Sequence, residues 1–504
     1  MNQISHGGDQ GTEDQLIQPT PREDVPWTTV QQMFQQIWGY EHFRPPQGEI
    51  IHSILSQKDT LIVMPTGGGK SICFQLPALL HHGLTLVVSP LVALMENQVQ
   101  ELRQQRLPVA TLHSQLTSGD RQRVIADLDN HRLRLLYLSP ETLLTPSVWD
   151  RICRADLHMN GIILDEAHCL TQWGDTFRPA YRRLGAVRPQ LLATKPKGYR
   201  IPIAAFTATA DPITQQTITS VLQLDEPQQF LLNPYRDNLH LAVQIVWSRQ
   251  DRRRQLIRFI QQQQGSPGLV YVRTRRDSEL ITQLLVRTGF TTIAYHAGLS
   301  AATRRFVEGQ WLSGKVPFVI CTSAFGMGIN KPDSRWVIHF QAPAMLSEYV
   351  QEVGRAGRDG KAAHALTLVS EPTGWLDGED RQRWRFFEQH SQQQWLKARQ
   401  LVKELPQRGD VESVNRQYPE GAIALSLLHA MGHLEWRTPF EYQINSARAI
   451  TDFPFISSLK PMIQYLTTNQ CRWQYLLNAF GFNDDARYLR CGHCDNCRQR
   501  KDKH

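Results

Sequence analysis

Short, wholly apolar runs alternate with longer stretches of helical periodicity along most of this chain. Residues 60–64 (TLIVM), 85–90 (TLVVSP), 133–140 (LRLLYLSP), 161–168 (GIILDEAH) and 202–210 (PIAAFTATA) each read as a strand buried on both faces. Helical stretches such as ICFQLPALL and LVALMENQVQEL separate them. A second series begins near residue 240. PGLVYVRTRRDSELITQLL reads as strand, turn and helix; TTIAYHAGL, KVPFVICTSAFGMGIN and WVIHFQAP supply further strands; SEYVQEVGRAGRDG reads as a helix. Buried strands alternating with helices predict two parallel sheets covered on both faces, and ligands of such sheets sit at the C-terminal strand ends. Further on, GAIALSLLHAMGHLEWRTPFEYQIN reads as a helix over 422–431 and two short strands turning about Thr438-Pro439. There Phe440, Tyr442 and Ile444 alternate with Glu441, Gln443 and Asn445. Residues 1–26, rich in Gly, Gln and Asp, read as a disordered tail.

Composition narrows the class. A chain of 504 residues that is 41% hydrophobic and 20% charged is an ordinary globular protein of about three domains. No apolar run reaches the roughly 20 residues that span a bilayer, and the N-terminus has no basic-then-apolar leader pattern. The net charge is +8; residues 1–26 hold five acids against Arg22, a net of −4, so the remainder carries +12. Such a basic body suits a polyanionic partner, or simply solubility.

The candidate chemistry lies at the strand ends. MPTGGGKS (64–71) follows the first strand and opens a helix. Its three glycines let backbone N–H groups converge on an anion, with Lys70 reaching the β- and γ-phosphates and Ser71 a Mg²⁺ ion. The first position of the usual pattern is Gly, and here it is Met64. Asp165 and Glu166, ending a strand 95 residues after Lys70, would hold the metal and orient the attacking water. Trp173, Phe177, Arg178, Tyr181, Arg182 and Arg183 crowd into eleven residues, a composition for base stacking and phosphate contact or for packing. Gln47, just ahead of the stripe Ile50, Ile51, Ile54 and Leu55, is a helix cap or an adenine reader. Arg355 and Arg358 form a solvated face or serve the phosphate site from the other half. Cys471, Cys491, Cys494 and Cys497 are spaced C-x19-C-x2-C-x2-C, which suits a closed tetrahedral Zn²⁺ site in a reducing compartment. The other four cysteines read as packing thiols.

GYEHFRPPQGEII, MPTGGGKS, SPLVALMENQV, SPETL, DEAHCLTQWGDTFRP, FTATAD, AYHAGL, TSAFGMGINKPD and QEVGRAGRDG follow one another in the order seen in the RecQ family of superfamily two DNA helicases. The chain resembles that family from about residue 39 to 361, and again at CRWQYLLNAFG and CGHCDNC. The resemblance implies an α/β fold of two RecA-like lobes with ATP between them. It divides the chain into a tail (1–26), an ATP-binding lobe (27–232), a C-terminal lobe (233–372), a linker with a winged-helix-like segment (373–465) and a zinc module (466–504). It implies that Gln47 meets adenine and that Thr66, Gly67, Gly68, Gly69, Lys70 and Ser71 hold ATP and Mg²⁺. Asp165 and Glu166 would then act at the phosphates, and Arg358, with Arg355 beside it, would be the arginine finger. His168, Thr207 and Thr209 would relay nucleotide state, and Trp173, Phe177, Arg178 and Tyr181 would touch single-stranded DNA. The implied activity is ATP-driven 3′ to 5′ translocation and duplex unwinding, in recombination and repair, in the cytoplasm at the nucleoid. Single-stranded DNA-binding protein is the expected protein partner. A translocase or DNA-binding protein that does not part strands is the alternative. Two features depart from the family. About a hundred residues separate the second lobe from Cys471, with the winged-helix-like segment ahead of the zinc module rather than after it, and the chain stops seven residues past Cys497, short of an HRDC domain.

Overall fold

The computed structural model describes residues 25–171, 178–325, 329, 331–445 and 459–501. The expected tail therefore lies almost wholly outside the described residues, as do Trp173 and Phe177.

The first lobe opens with α1 (Trp27–Trp38) and α2 (Gln47–Leu55). Its strands are β1 (Thr60–Val63), β2 (Leu84–Val88), β3 (Val109–Leu112), β4 (Leu135–Leu138), β5 (Met159–Leu164), β6 (Ile203–Thr207) and β7 (Gln228–Leu231), and α3 (Lys70–Leu80) follows β1. They form one parallel sheet in the order β3-β4-β2-β5-β6-β1-β7. Every residue of β1 to β6 is buried, as continuous apolar runs require of strands covered on both faces; only the edge strand β7 is exposed. The strand order matters for function. It sets β5, β6 and β1 side by side, so three loops far apart in sequence leave the same end of the sheet together. A short helix, α4 (Pro179–Arg182), follows the aromatic-rich stretch.

The second lobe repeats the design with β8 (Leu239–Val246), β9 (Gly268–Tyr271), β10 (Thr292–Tyr295), β11 (Phe318–Cys321), β12 (Trp336–His339) and β13 (Ala363–Ser370), parallel in the order β10-β11-β9-β12-β13-β8. Between β12 and β13 lies α5 (Leu346–Val353). The 23-residue α6 (Glu379–Leu401) then leads away from the lobe.

The segment after α6 is more complete than its sequence pattern indicates. β14 (Arg408–Asp410), α7 (Val411–Gln417), α8 (Gly421–Ala430), β15 (Leu434–Trp436) and β16 (Glu441–Ile444) follow in turn. The three strands form an antiparallel sheet, β14-β16-β15, around a core that includes Ala398, Leu425, Leu428 and Tyr442. Helix, strand, helix, helix, strand, strand is winged-helix topology. The expected helix begins and ends one residue earlier than its pattern suggested, and β14, an Arg-Gly-Asp tripeptide, had no pattern of its own.

The chain closes with α9 (Leu459–Thr467), α10 (Arg472–Ala479) and α11 (Asp495–Lys501). This module is built onto the second lobe. Trp473 donates from Nε1 to the Leu239 carbonyl (3.1 Å), Val243 N donates to Asp495 Oδ2 (2.9 Å), and the Tyr465 and Tyr349 hydroxyls pair at 2.8 Å. Among the described residues, no helix is long and apolar enough to cross a membrane.

A candidate nucleotide site closed by two lobes

The loop between β1 and α3 curls because its glycines permit it. Gly67 and Gly69 have φ of 88° and 80°, the left-handed region that L side chains avoid. A Cβ on Gly68 would lie 2.8 Å from the Met64 side chain, and one on Gly69 would strike the amide of Gln47. Gln47, almost fully buried, donates from Nε2 to the carbonyls of Gly68 (3.1 Å) and Gly69 (3.4 Å) and accepts from Arg44 N (2.9 Å). Here it braces the phosphate loop.

Lys70 opens α3, and its ammonium nitrogen is buried with no hydrogen-bond partner. An ammonium buried at the start of a helix behind a glycine loop is placed to meet an anion. The Ser71 hydroxyl accepts from Gln98 Nε2 (3.0 Å). At the end of β5, Asp165 accepts from Ser89 Oγ (3.5 Å) and from Glu166 N (3.0 Å). Burial, followed by the neighbouring Glu166 carboxylate, pushes Asp165 up to about 7 against the pull of Lys70. A buried carboxylate so short of positive charge, with a helix-start hydroxyl at the same sheet end, is a donor set that fits a hard divalent cation.

Glu166 adopts φ 51°, an uncommon conformation for a non-glycine residue and one often found at working sites. One of its carboxylate oxygens lies 3.3 Å from His168 Nδ1. That nitrogen is also 2.9 Å from Thr207 Oγ1, and Thr207 donates to the Thr209 carbonyl (3.0 Å). Burial holds His168 below the usual histidine range, and its bond to Thr207 joins the β5 and β6 loops. His168, Thr207 and Thr209 thus form one connected run beside the phosphate loop.

The second lobe supplies the far wall. α5 ends at Val353, and Arg355 and Arg358 lie in the loop beyond it rather than on the helix. Thr66 Oγ1 donates to the Gly354 carbonyl (3.3 Å), and Gln351 Nε2 donates to Glu166 Oε2 (3.5 Å), both across the cleft. Arg358 crosses too. Its side chain would lie 3.3 Å from a Cβ placed on Gly67, so the two lobes are in close contact there. Burial, then the adjoining Arg355, lowers Arg358 to about 9. Its Nη1 donates to the Ile329 carbonyl (3.3 Å). Two groups that pattern alone does not mark hold this loop and the end of α5. Arg236 donates to the carbonyls of Ala356 (2.8 Å) and Gly357, and Arg273 pairs with Glu352 through two bonds of 3.0 and 2.7 Å. Gln351 and Gln98 do lie within recognisable motifs, QEVGRAGRDG and SPLVALMENQV.

One expected DNA contact is corrected. Tyr181 is fully buried in the core of the first lobe, its hydroxyl without a partner, so it packs and does not reach a nucleic acid. Arg178 is half-buried and lies 3.5 Å from Glu141.

The four clustered cysteines come together. Their sulfurs all lie within 4.8 Å of one another, with Cys491 and Cys497 at 3.9 Å and Cys494 and Cys471 at 4.0 Å. Four sulfurs at about 2.3 Å from a tetrahedral Zn²⁺ would be about 3.8 Å apart, so the cage fits zinc. Backbone N–H groups of Cys491, Cys494 and Arg472 donate to sulfurs of the set, as thiolate ligands require.

Three families match parts of the chain: DEAD/DEAH box helicase over residues 44–218, helicase conserved C-terminal domain over 251–360, and RecQ zinc-binding over 454–498. The chain is 52% identical over 473 residues to the ATP-dependent DNA helicase RecQ of Synechocystis sp., covering 93% of this chain and 98% of that one. It is 39% identical to the probable ATP-dependent DNA helicase RecS of Bacillus subtilis, over 68% and 67% of the two chains. Among solved structures it resembles the Mycobacterium smegmatis helicase Lhr bound to ssDNA and AMP-PNP, at TM-score 0.57 and 19% identity over 78% of this chain and 55% of that one. It also resembles Mss116p bound to ssRNA and AMP-PNP, at TM-score 0.57 and 14% identity over 82% and 90%. Those two likenesses concern the fold. With its paired helicase lobes, its zinc cage and a near full-length relative at 52% identity, this chain belongs to the RecQ family of ATP-dependent DNA helicases.

Proposed function

We propose that the chain binds ATP with Mg²⁺ in the interlobe cleft and hydrolyses it to move 3′ to 5′ along single-stranded DNA and part duplexes ahead of it. The observation that carries this reading is Arg358 of the second lobe lying over Gly67 of the first, in the loop that leads into the buried Lys70 ammonium. Phosphoryl transfer needs little from a protein but position and charge, and both are assembled from opposite sides of one cleft. Lys70 and the loop N–H groups hold the β- and γ-phosphates. Glu166 orients the attacking water and accepts its proton, with Gln351 steadying the carboxylate from across the cleft. Ser71 and Asp165 would hold Mg²⁺, which when bound neutralises phosphate charge. Arg358 meets the γ-phosphate only while the lobes are together, so turnover becomes lobe motion. The connected run His168, Thr207 and Thr209 offers a route for nucleotide state to the DNA-facing loops.

The remaining assignments rest on family membership. They are adenine recognition by Gln47, DNA contact by Trp173, Phe177 and Arg178, cooperation with a single-stranded DNA-binding protein, and a nucleoid role in recombination and repair. The four cysteines hold a structural Zn²⁺ that ties α10 to α11. The function is tested with a labelled strand annealed to leave a 3′ or a 5′ tail. ATP-dependent release from the 3′-tailed duplex, and little from the 5′-tailed one, is expected. Single-strand-stimulated ATPase with no release from either would favour the translocase alternative.

A further inference from the structure

A winged helix reads duplex DNA with its third helix, which enters the major groove and presents polar or basic side chains to base edges and phosphates. The third helix here, α8, reads GAIALSLLHA and carries no Lys, Arg, Asp or Glu. A helix apolar all round is a buried helix. Leu425 and Leu428 point into the domain's own core, and Ser426 and Leu427 are buried as well. What covers the helix is the first lobe. α8 packs against α4, Ser426 Oγ lies 3.5 Å from the Pro179 carbonyl, and burial followed by Arg182 of the first lobe lowers His429 to about 4.

The wing is also occupied. In a winged helix that parts strands, the turn at Arg437, Thr438 and Pro439 would be the wing tip, and the flanking Trp436 and Phe440 would be open to an end base pair. Instead Arg183 Nε donates to the Pro439 carbonyl (2.6 Å) and Gln190 Nε2 to the Arg437 carbonyl (3.2 Å). Phe440 sits edge-on to Trp149 of the first lobe, ring centroids 5.5 Å apart, beneath the Arg183 guanidinium.

The opposite end of the unit is rooted in the second lobe. The fully buried Arg252 donates to Asp380 Oδ2 (2.8 Å), Asp377 Oδ2 (3.2 Å) and the Phe340 carbonyl (2.6 Å), and Ser370 N donates to Asp380 Oδ2 (2.7 Å). Asp380 is in the first turn of α6. At 1.5 Å per residue α6 spans about 35 Å. It begins in the second lobe's ion network, and its last turns, with Ala398, lie in the winged-helix core.

We infer that this winged helix is a brace rather than a duplex reader: rooted in the second lobe through α6 and docked on the first through α8 and Phe440, it positions the lobes so that Arg358 faces the phosphate loop. The inference rests on Arg358 acting as the finger, and its test separates the two. ADP with aluminium fluoride mimics the transferring phosphoryl group and needs both lobes, whereas ADP is held by the phosphate loop. Phe440→Ala, and from the facing surface Arg183→Ala, should weaken ADP–aluminium fluoride binding about tenfold and leave ADP affinity unchanged, as expected when a binding-competent closed state becomes less populated. Phe440→Tyr, which keeps the ring contact, should restore it. Arg358→Ala checks the finger alone: it should lose affinity for the analogue with the wing contacts intact. If Phe440→Ala and Arg183→Ala shift both ligands equally, or neither, the brace is overturned even where Arg358→Ala behaves as expected.

Discussion

At the scale of single residues, the nucleotide site divides into groups whose chemistry is declared by their neighbours in sequence and groups declared only by their surroundings in space. Lys70 belongs to the first kind. A lysine after three glycines and a strand has few other uses, and its buried, unpartnered ammonium agrees. Lys70→Ala should therefore abolish ATP hydrolysis while single-stranded DNA still binds, measured by phosphate release beside an oligonucleotide titration. Hydrolysis surviving within about tenfold would remove Lys70 from the phosphates. Tyr181 belongs to the second kind. Aromatics interleaved with arginines fit a DNA-facing loop or a packed one, and only the fold shows that this ring is in the core. Because its hydroxyl is buried without a partner, Tyr181→Phe should keep or raise stability by about 1 kcal/mol with unchanged DNA affinity. Tyr181→Ala should cost roughly 3–5 kcal/mol through the cavity it leaves. A loss of DNA affinity in the phenylalanine variant at undiminished stability would return Tyr181 to the DNA-contact set.

At the scale of elements, β1, β2, β4, β5 and β6 of the first sheet and β9 to β12 of the second were legible because each is a short apolar run, as strands covered on both faces are, whereas the edge strands β7 and β8 carry polar residues and exposed positions and had no such pattern. β14 was not, because Arg408, Gly409 and Asp410 are a strand only through their pairing with Glu441 to Gln443. The setting of α5 was equally hidden. Burial alone would raise the Glu352 carboxyl, but the ion pair with Arg273 and the bond to His339 outweigh it and hold the group at about 2. Its contribution to stability is therefore present above its ordinary value of 4.5 and lost as pH falls towards about 2. In Glu352→Gln, the fall of the melting temperature across that window should be shallower than in the parent. Arg273→Ala, which strands Glu352 in the interior, should destabilise the second lobe by about 3–5 kcal/mol in denaturant titration. The zinc module follows similar logic. Its cysteine spacing was legible, but its attachment through Trp473 to the Leu239 carbonyl was not. Cys494→Ser should release zinc, read by metal analysis, and free α10 from β8, read as faster amide exchange there, with the phosphate loop unchanged. A variant that keeps one zinc per chain would contradict the four-cysteine cage.

At the scale of the whole molecule, sequence showed two halves, each with part of a site, and little of how they meet. The order of strands brings the β1, β5 and β6 loops together inside one lobe, whereas the cleft depends on contacts such as Thr66 with Gly354 and Gln351 with Glu166, which no periodicity encodes. The winged helix was visible in outline from one helix and an alternating strand, but its docking on the first lobe was not, because nothing in an apolar α8 distinguishes burial in its own core from burial against another domain. The account as a whole depends on catalysis being completed across the cleft. Pre-steady-state hydrolysis in Arg358→Ala, with nucleotide affinity measured on the same preparation, tests that most directly. The chemical step should slow by about 10³ or more while ATP affinity stays close to that of the parent, because the guanidinium acts on charge that develops in the transition state. An unchanged chemical step, or a loss confined to ATP affinity, would contradict it.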